Sequence, residues 1–149
     1  MAHLNEREVF AKTVYAEARG EPREGQIWVA WVIKNRAKMN RPYWGGSSIK
    51  DVCLCPGQFE CWNGRNDIQI LEHQVYNSIR QLTEQIFDAP HGHDPTGGAD
   101  HYNNPDKEGY PPWTQNCNRL RKIGNHQFYK GEIGYGEMVG MCCARDFYR

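Results

Sequence analysis

Apolar residues recur every three to four positions near the start of the chain, which is the spacing of one face of an α-helix. The positions that share this face are Val9, Phe10, Thr13, Val14 and Glu17. Asn5 followed by Glu8 is typical of a helix start of the capping-box type, and the Gly20–Pro22 break predicts an end near Arg19. The pattern therefore turns a carboxylate, Glu17, towards the core, where it needs polar partners or a raised pKa.

Two longer helices follow from the same spacing. Residues 24–38 carry a wide apolar face that includes Trp28 and Trp31, both predicted to lie in the core. A third helix is predicted from Asn66 or Asp67, with His73 on its solvent face. Its apolar stripe is Ile68, Leu71, Val75, Ile79, Leu82 and Ile86.

The segments between these helices are rich in turn-forming residues. Within 39–66, residues 48–52 are expected to form a short helix or turn, and residues 55–62 an irregular hairpin. Residues 90–115 contain many Pro, Gly, Asp and Asn residues, and such a long loop in a compact domain is often functional. The closing stretch from Gly131 gives no secondary-structure prediction.

Composition restricts the class of protein. The 149 residues are enough for one domain over 1–149, and no linker divides them. Acidic and basic side chains balance at 18 each, which favours neither nucleic acid nor an anionic membrane as a partner. No apolar run reaches membrane-spanning length, and the polar sequence after Met1 leads us to expect no signal peptide in this chain.

The chain has six cysteines, an unusual number for a cytosolic protein of this size. An even count favours disulfides and a secreted protein, and the Cys142–Cys143 pair is expected to bond two different partners. A zinc site built from Cys53, Cys55, Cys61 and a histidine is the alternative, but it lacks the usual paired spacing. Calcium binding at Asp94 and Asp100 is disfavoured because no EF-hand pattern surrounds them.

Four sequence blocks together resemble the spore cortex-lytic cell-wall hydrolases of the SleB/CwlJ type. The blocks are residues 15–21 (YAEARGE) with 25–36, residues 57–59 (GQF), residues 94–99 (DPTGGA) and residues 123–129 (IGNHQFY). The resemblance spans about residues 8–130. It implies a mainly α, lysozyme-like or lytic-transglycosylase-like domain with a small β region, which cleaves the glycan strands of peptidoglycan. Many members of the family act as lytic transglycosylases.

The resemblance implies that Glu17 is the catalytic acid, with its pKa raised by burial beside Tyr15 and Phe59. Residues 58–62 are then the best candidate for the opposite wall of the cleft. The candidate substrate-binding residues near Glu17 are Tyr15, Gln58, Phe59 and Trp62. Glu60, where the family commonly has a small hydroxyl residue, is a candidate second carboxylate. Its alternatives are a solvent-facing residue, or Glu21 in that role.

Period-two alternation would place Gln58 and Glu60 on one face. Further candidate substrate contacts lie in the later blocks: His101, Tyr102 and Asn103 in the long loop, and His126 after it. A lone histidine is more often structural. Asn35 and Arg36, which belong to the family pattern, are expected to be structural and to brace the loop that carries Glu17.

We therefore expect a monomer that needs no cofactor or metal and binds a polysaccharide. Peptidoglycan is the leading substrate and chitin the alternative. The alternative outside the enzymes is a disulfide-stabilised protein that binds carbohydrate without cleaving it. The intact Glu17 disfavours this alternative.

Overall fold

The structure is a computed structural model that describes residues 4–131 of the chain. The Cys142–Cys143 pair and most of the closing stretch lie outside the described residues. The helices are α1 (Glu6–Ala18), α2 (Arg23–Met39), α3 (Ile49–Leu54), α4 (His73–Asp88) and α5 (Pro105–Glu108). The strands are β1 (His101–Asn103), β2 (Cys117–Ile123) and β3 (His126–Gly131).

Helix α1 begins as its sequence predicts. The side chain of Asn5 accepts a 2.8 Å hydrogen bond from the backbone N–H of Glu8, which satisfies one of the free donors of the first turn. Val9, Phe10 and Val14 are fully buried against the other helices. The predicted core face of α1 is confirmed.

Helix α2 runs through the middle of the molecule. Trp28 and Trp31 are buried as predicted, and the indole of Trp28 packs edge-on against Phe128 of β3 at 5.3 Å. Lys34 is also buried, and its ammonium group donates to the carbonyls of Ile86 and Phe87 at the end of α4. Helix α2 therefore joins α4 on one side to the sheet on the other.

Helix α4 starts at His73, several residues later than predicted. The hydroxyl of Tyr15 accepts hydrogen bonds from the backbone N–H groups of Leu71 and Glu72, at 3.2 and 3.0 Å. These contacts hold residues 67–72 outside the helix, and the side chain of Leu71 is 73% exposed. The stripe from Ile79 onwards is buried, and His73 is exposed as expected.

The β region lies in a different part of the chain from the one predicted. Residues 55–62 form turns and a short 3-10 helix, not a hairpin. Strands β1, β3 and β2 form a three-stranded antiparallel sheet in that order, with Tyr102 opposite Phe128. Residues 90–115, expected to be one long loop, contain β1, α5 and two 3-10 turns.

Asn35 and Arg36 brace the turn that leads into β1. Asn35 Nδ2 donates to the carbonyl of Ala99 at 2.9 Å, and Arg36 Nε donates to that of Asp100 at 2.7 Å. Both contacts fix this turn and so position the sheet. The expected bracing of the loop that carries Glu17 stays a prediction.

Candidate active site

A pocket of about 490 Å³ opens at the C-terminal end of α1. Its lining residues come from the C-terminal end of α1 and from the connection between α3 and α4: Tyr15, Ala16, Glu17, Arg19, Glu60, Cys61, Asn63, Arg65, Ile68 and Gln69. The structure thus brings the predicted acid and the candidate second carboxylate, Glu60, to one cavity. Both side chains are half-buried.

Tyr102 connects the sheet to Glu17. Its phenol donates a 2.6 Å hydrogen bond to Glu17 Oε1, and its ring is fully buried against Phe128. A rigid donor on β1 therefore fixes the position of one carboxylate oxygen at the end of a helix. This contact links the first sequence block to the strand that follows the third block.

Tyr15 forms a wall of the pocket. Its ring is 3% exposed and packs edge-on against Tyr76 of α4. The guanidinium of Arg19 lies 5.8 Å from the ring centre, within the range of a cation–π contact. Arg19 also pairs with Glu72 at 3.5 Å, so the entrance beside Glu17 is charged.

Three of the predicted substrate contacts lie beneath the pocket and do not line it. Gln58 is fully buried and accepts a hydrogen bond from Arg36, and Phe59 is 1% exposed in the core. The indole N–H of Trp62 donates to Thr13 of α1 at 2.8 Å. Because residues 60–62 form a 3-10 turn, Gln58 and Glu60 do not share a face as strand alternation predicted.

The predicted contacts of the sheet are buried too. The imidazole of His101 pairs with Asp100 at 2.8 Å between the rings of Trp44 and Trp113, and burial lowers its pKa. Asn103 bonds to Gly109 and to the hydroxyl of Tyr129. Neither residue lines the Glu17 pocket.

His126 lies behind Tyr102. Its ring centre is 4.8 Å from that of Tyr102, and the residue is 7% exposed. The histidine therefore packs against the donor that holds Glu17 and does not line the pocket itself.

Glu21 braces a turn of the sheet. Its carboxylate accepts hydrogen bonds from the backbone and side-chain nitrogens of Asn125, both at 2.9 Å. Gly124, in the same turn, has a positive φ of 58°, and a Cβ there would lie 2.5 Å from Glu21 Oε1. The turn between β2 and β3 is thus fitted closely against the segment after Glu17.

The sequence analysis missed several pocket residues. Asn63, Arg65 and Gln69 line the cavity, and none carries a pattern that marks it as functional. They come from the segment before α4, which the sequence pattern assigns partly to a loop and partly to the start of that helix.

The described cysteines do not form disulfides with one another. Cys53 is fully buried next to Thr13, and burial raises the pKa of its thiol to about 12. Within residues 4–131, no group of three or more His, Cys, Asp or Glu side chains is arranged to hold a metal ion. In the same part of the chain, every helix is too short or too polar to span a membrane.

Comparison with known proteins identifies a family that this chain matches. Residues 20–129 match the family model described as Cell Wall Hydrolase, a range that begins three residues after Glu17. A spore cortex-lytic enzyme from Halalkalibacterium halodurans is 34% identical over 125 residues, which are 83% of this chain. The match covers 34% of that relative, so the chain spans about a third of its length.

Two solved structures are similar in fold. One is the catalytic domain of the germination-specific lytic transglycosylase SleB from Bacillus anthracis, with a TM-score of 0.63 and 28% identity over 87% of this chain and 99% of that one. The other is the catalytic domain of the Bacillus cereus SleB protein, with a TM-score of 0.61 and 30% identity over 84% and 89%. These matches confirm the expected mainly helical, lysozyme-like architecture.

Proposed function

Because the chain belongs to the cell wall hydrolase family, we propose that it cleaves the glycan strands of peptidoglycan in the pocket that holds Glu17. The observation that carries the proposal is the hydrogen bond from Tyr102 to Glu17, which fixes a half-buried carboxyl group at the wall of an open cavity. A general acid must be held in one position relative to the bond that it protonates. The similar solved domain described as a lytic transglycosylase supports the same reaction class.

In the proposed reaction, Glu17 donates a proton to the oxygen of the glycosidic bond as that bond breaks. The sugar that loses this oxygen develops oxocarbenium-like character. Glu17, now a carboxylate, accepts the proton of the 6-hydroxyl of the same sugar, whose oxygen closes an anhydro ring. No water is consumed, and the acid returns to its starting state.

Hydrolysis is the second candidate, and the position of Glu60 favours it. Glu60 lines the same pocket as Glu17, where a second carboxylate would act as a nucleophile or would activate water. Transglycosylation needs no such group. The role of Glu60 therefore depends on which products form.

The remaining proposals concern the context of the chain. We take it to be a single catalytic domain that acts as a monomer outside the cytoplasm, where cortex-lytic relatives meet their wall substrate. In such a compartment the cysteine-rich sequence would form disulfides. Mass measurement of the oxidised and reduced protein counts them directly, at two hydrogens for each bond.

Mass spectrometry of products from purified peptidoglycan tests the proposal. The wild-type protein should release muropeptides that end in an anhydro sugar, and Glu17→Gln should release none while keeping its fold. Glu24→Gln serves as a matched control, because Glu24 is exposed and pairs only with Arg121 at the surface.

The products also separate the alternatives. Reducing-end products that carry one added water would establish hydrolysis and replace the transglycosylase route. Cleavage of chitin oligosaccharides without cleavage of peptidoglycan would overturn the assignment of peptidoglycan as the substrate. Unchanged turnover by Glu17→Gln would remove Glu17 from the mechanism.

A further inference from the structure

A second pocket, of about 340 Å³, lies between the C-terminal end of α2, the turn before β1 and the end of β3. It shares no residue with the Glu17 pocket. Its charged and titratable lining residues are Lys38, Arg41, His91, Asp94, Asp100 and Lys130. Three cations, two from the C-terminal end of α2 and the residues just after it and one from β3, therefore meet at one cavity.

These cations have no protein partner in the described part of the chain. Within residues 4–131, the side chains of Lys38, Arg41 and Lys130 form neither an ion pair nor a hydrogen bond. Arg41 Nε, which always carries a proton, is buried without an acceptor. Such a donor is costly to leave unsatisfied, and an oxygen atom bound in the pocket would satisfy it.

The two carboxylates of the pocket are already engaged. Asp94 accepts hydrogen bonds from the backbone N–H groups of Thr96 and Gly98, at 2.8 and 3.0 Å. Asp100 accepts from the backbone N–H of Gly131 at 2.8 Å and pairs with His101. The oxygens of both residues thus hold the backbone of the pocket in place, and the lining keeps an excess of positive charge, with three cations against two carboxylates.

We propose that this pocket binds a carboxylate of the peptide stem that peptidoglycan glycan strands carry. The inference rests on the proposed function, which supplies the class of substrate. A carboxylate matches the cationic lining, and the guanidinium of Arg41 is suited to carboxylate recognition. The pocket would then make the enzyme favour strands that bear stems over strands that do not.

One lining residue of the pocket lies close in the chain to the group that holds Glu17. Asp100 lines the pocket, and Tyr102, two residues further along the chain, donates to Glu17. The pocket and the hydrogen bond to Glu17 therefore depend on the same short stretch of chain.

The kinetic test compares two substrates, stem-bearing glycan strands and the same strands after their stems have been removed by an amidase. In a Lys38→Gln/Lys130→Gln variant we expect KM for stem-bearing strands to rise about tenfold with little change in kcat. KM for bare strands should stay at the wild-type value. Both lysines are exposed, so the substitutions should not disturb folding, and Lys107→Gln is a control for lost surface charge.

A binding test needs no turnover. Calorimetric titration with a free tetrapeptide stem should show binding to the wild-type protein, weaker binding to the double variant, and no binding of a stem whose carboxylates are amidated. Binding by the wild type that the variant loses would support the pocket even if no glycan were cleaved. Product formation with the same KM in all proteins would overturn the pocket and leave the proposed function intact.

Discussion

Tyr102 and Glu17 lie 85 residues apart in the sequence and are joined by a hydrogen bond of 2.6 Å. The donor belongs to a sheet and the acceptor to the last turn of a helix. Tyr102 is fully buried, and its ring packs against Phe128 and His126. The sheet therefore serves the pocket by holding Glu17, although no described side chain of the sheet lines the cavity.

The first prediction is that Tyr102→Phe lowers kcat for glycan cleavage by about 10- to 100-fold. The substitution removes one hydroxyl, and with it a hydrogen bond to a charged group, of the kind worth about 1.5–3 kcal/mol. Steady-state kinetics on peptidoglycan strands measures the loss.

Tyr129→Phe is the matched control for that substitution. Tyr129 is buried in the same sheet, and its hydroxyl donates to Asn103 and not to Glu17. Its kcat should stay within about twofold of wild type, with a comparable loss of thermal stability. Equal losses of activity in both variants would mean that Tyr102 acts only through the stability of the sheet.

The second prediction concerns Glu60. If the reaction is transglycosylation, Glu60→Gln should keep kcat within about fivefold of wild type, because the 6-hydroxyl replaces water and no second carboxylate is required. Mass spectrometry should then show anhydro products from both proteins. A loss of about 100-fold or more, with hydrated products from the wild type, would instead assign Glu60 to hydrolysis.

The helices and the place of Glu17 at the end of α1 could be predicted from the sequence because their signals are local. Spacing alone places Val9 and Phe10 on the core side of α1, and the residue order near Glu17 carries the family resemblance. The late start of α4 could not be predicted, because it depends on Tyr15, a residue more than fifty positions away. Propensity favours a helix there, but a tertiary hydrogen bond decides the boundary.

The substrate contacts were harder to predict for a related reason. Gln58 and His101 have side chains that suit sugar binding, but each satisfies a buried partner, Arg36 and Asp100 respectively. A polar residue at such a position is equally compatible with substrate binding and with a buried structural contact. Arg65 and Gln69, which do line the pocket, belong to no periodic pattern.

The third prediction is a dependence of stability on pH through His101. Burial lowers its pKa from the ordinary value of 6.5, so below that pH the unfolded chain binds a proton that the folded chain does not. The free energy of unfolding should therefore have its full value above pH 6.5 and should fall as the pH drops towards the lowered pKa. One such proton accounts for up to about 1.4 kcal/mol per pH unit.

Urea unfolding between pH 7.5 and 5 measures this slope. In His101→Gln the slope should be shallower, whatever the change in absolute stability, because the proton-binding group is gone. Parallel slopes in the two proteins would show that other groups, including the half-buried His91, carry the dependence.

The last prediction tests the contact between Glu21 and the turn of the sheet. Gly124→Ala should destabilise the protein by about 3 kcal/mol, of which about 1–2 kcal/mol is the cost of a side chain at a left-handed φ. The remainder comes from the added Cβ, which would lie 2.5 Å from Glu21 Oε1 and 2.8 Å from Pro22 Cδ. Gly64→Ala separates the two costs, since its φ of 68° is similar and a Cβ there meets nothing within 4 Å. Equal destabilisation of the two variants, measured by urea unfolding, would show that the turn moves away from Glu21 at little cost.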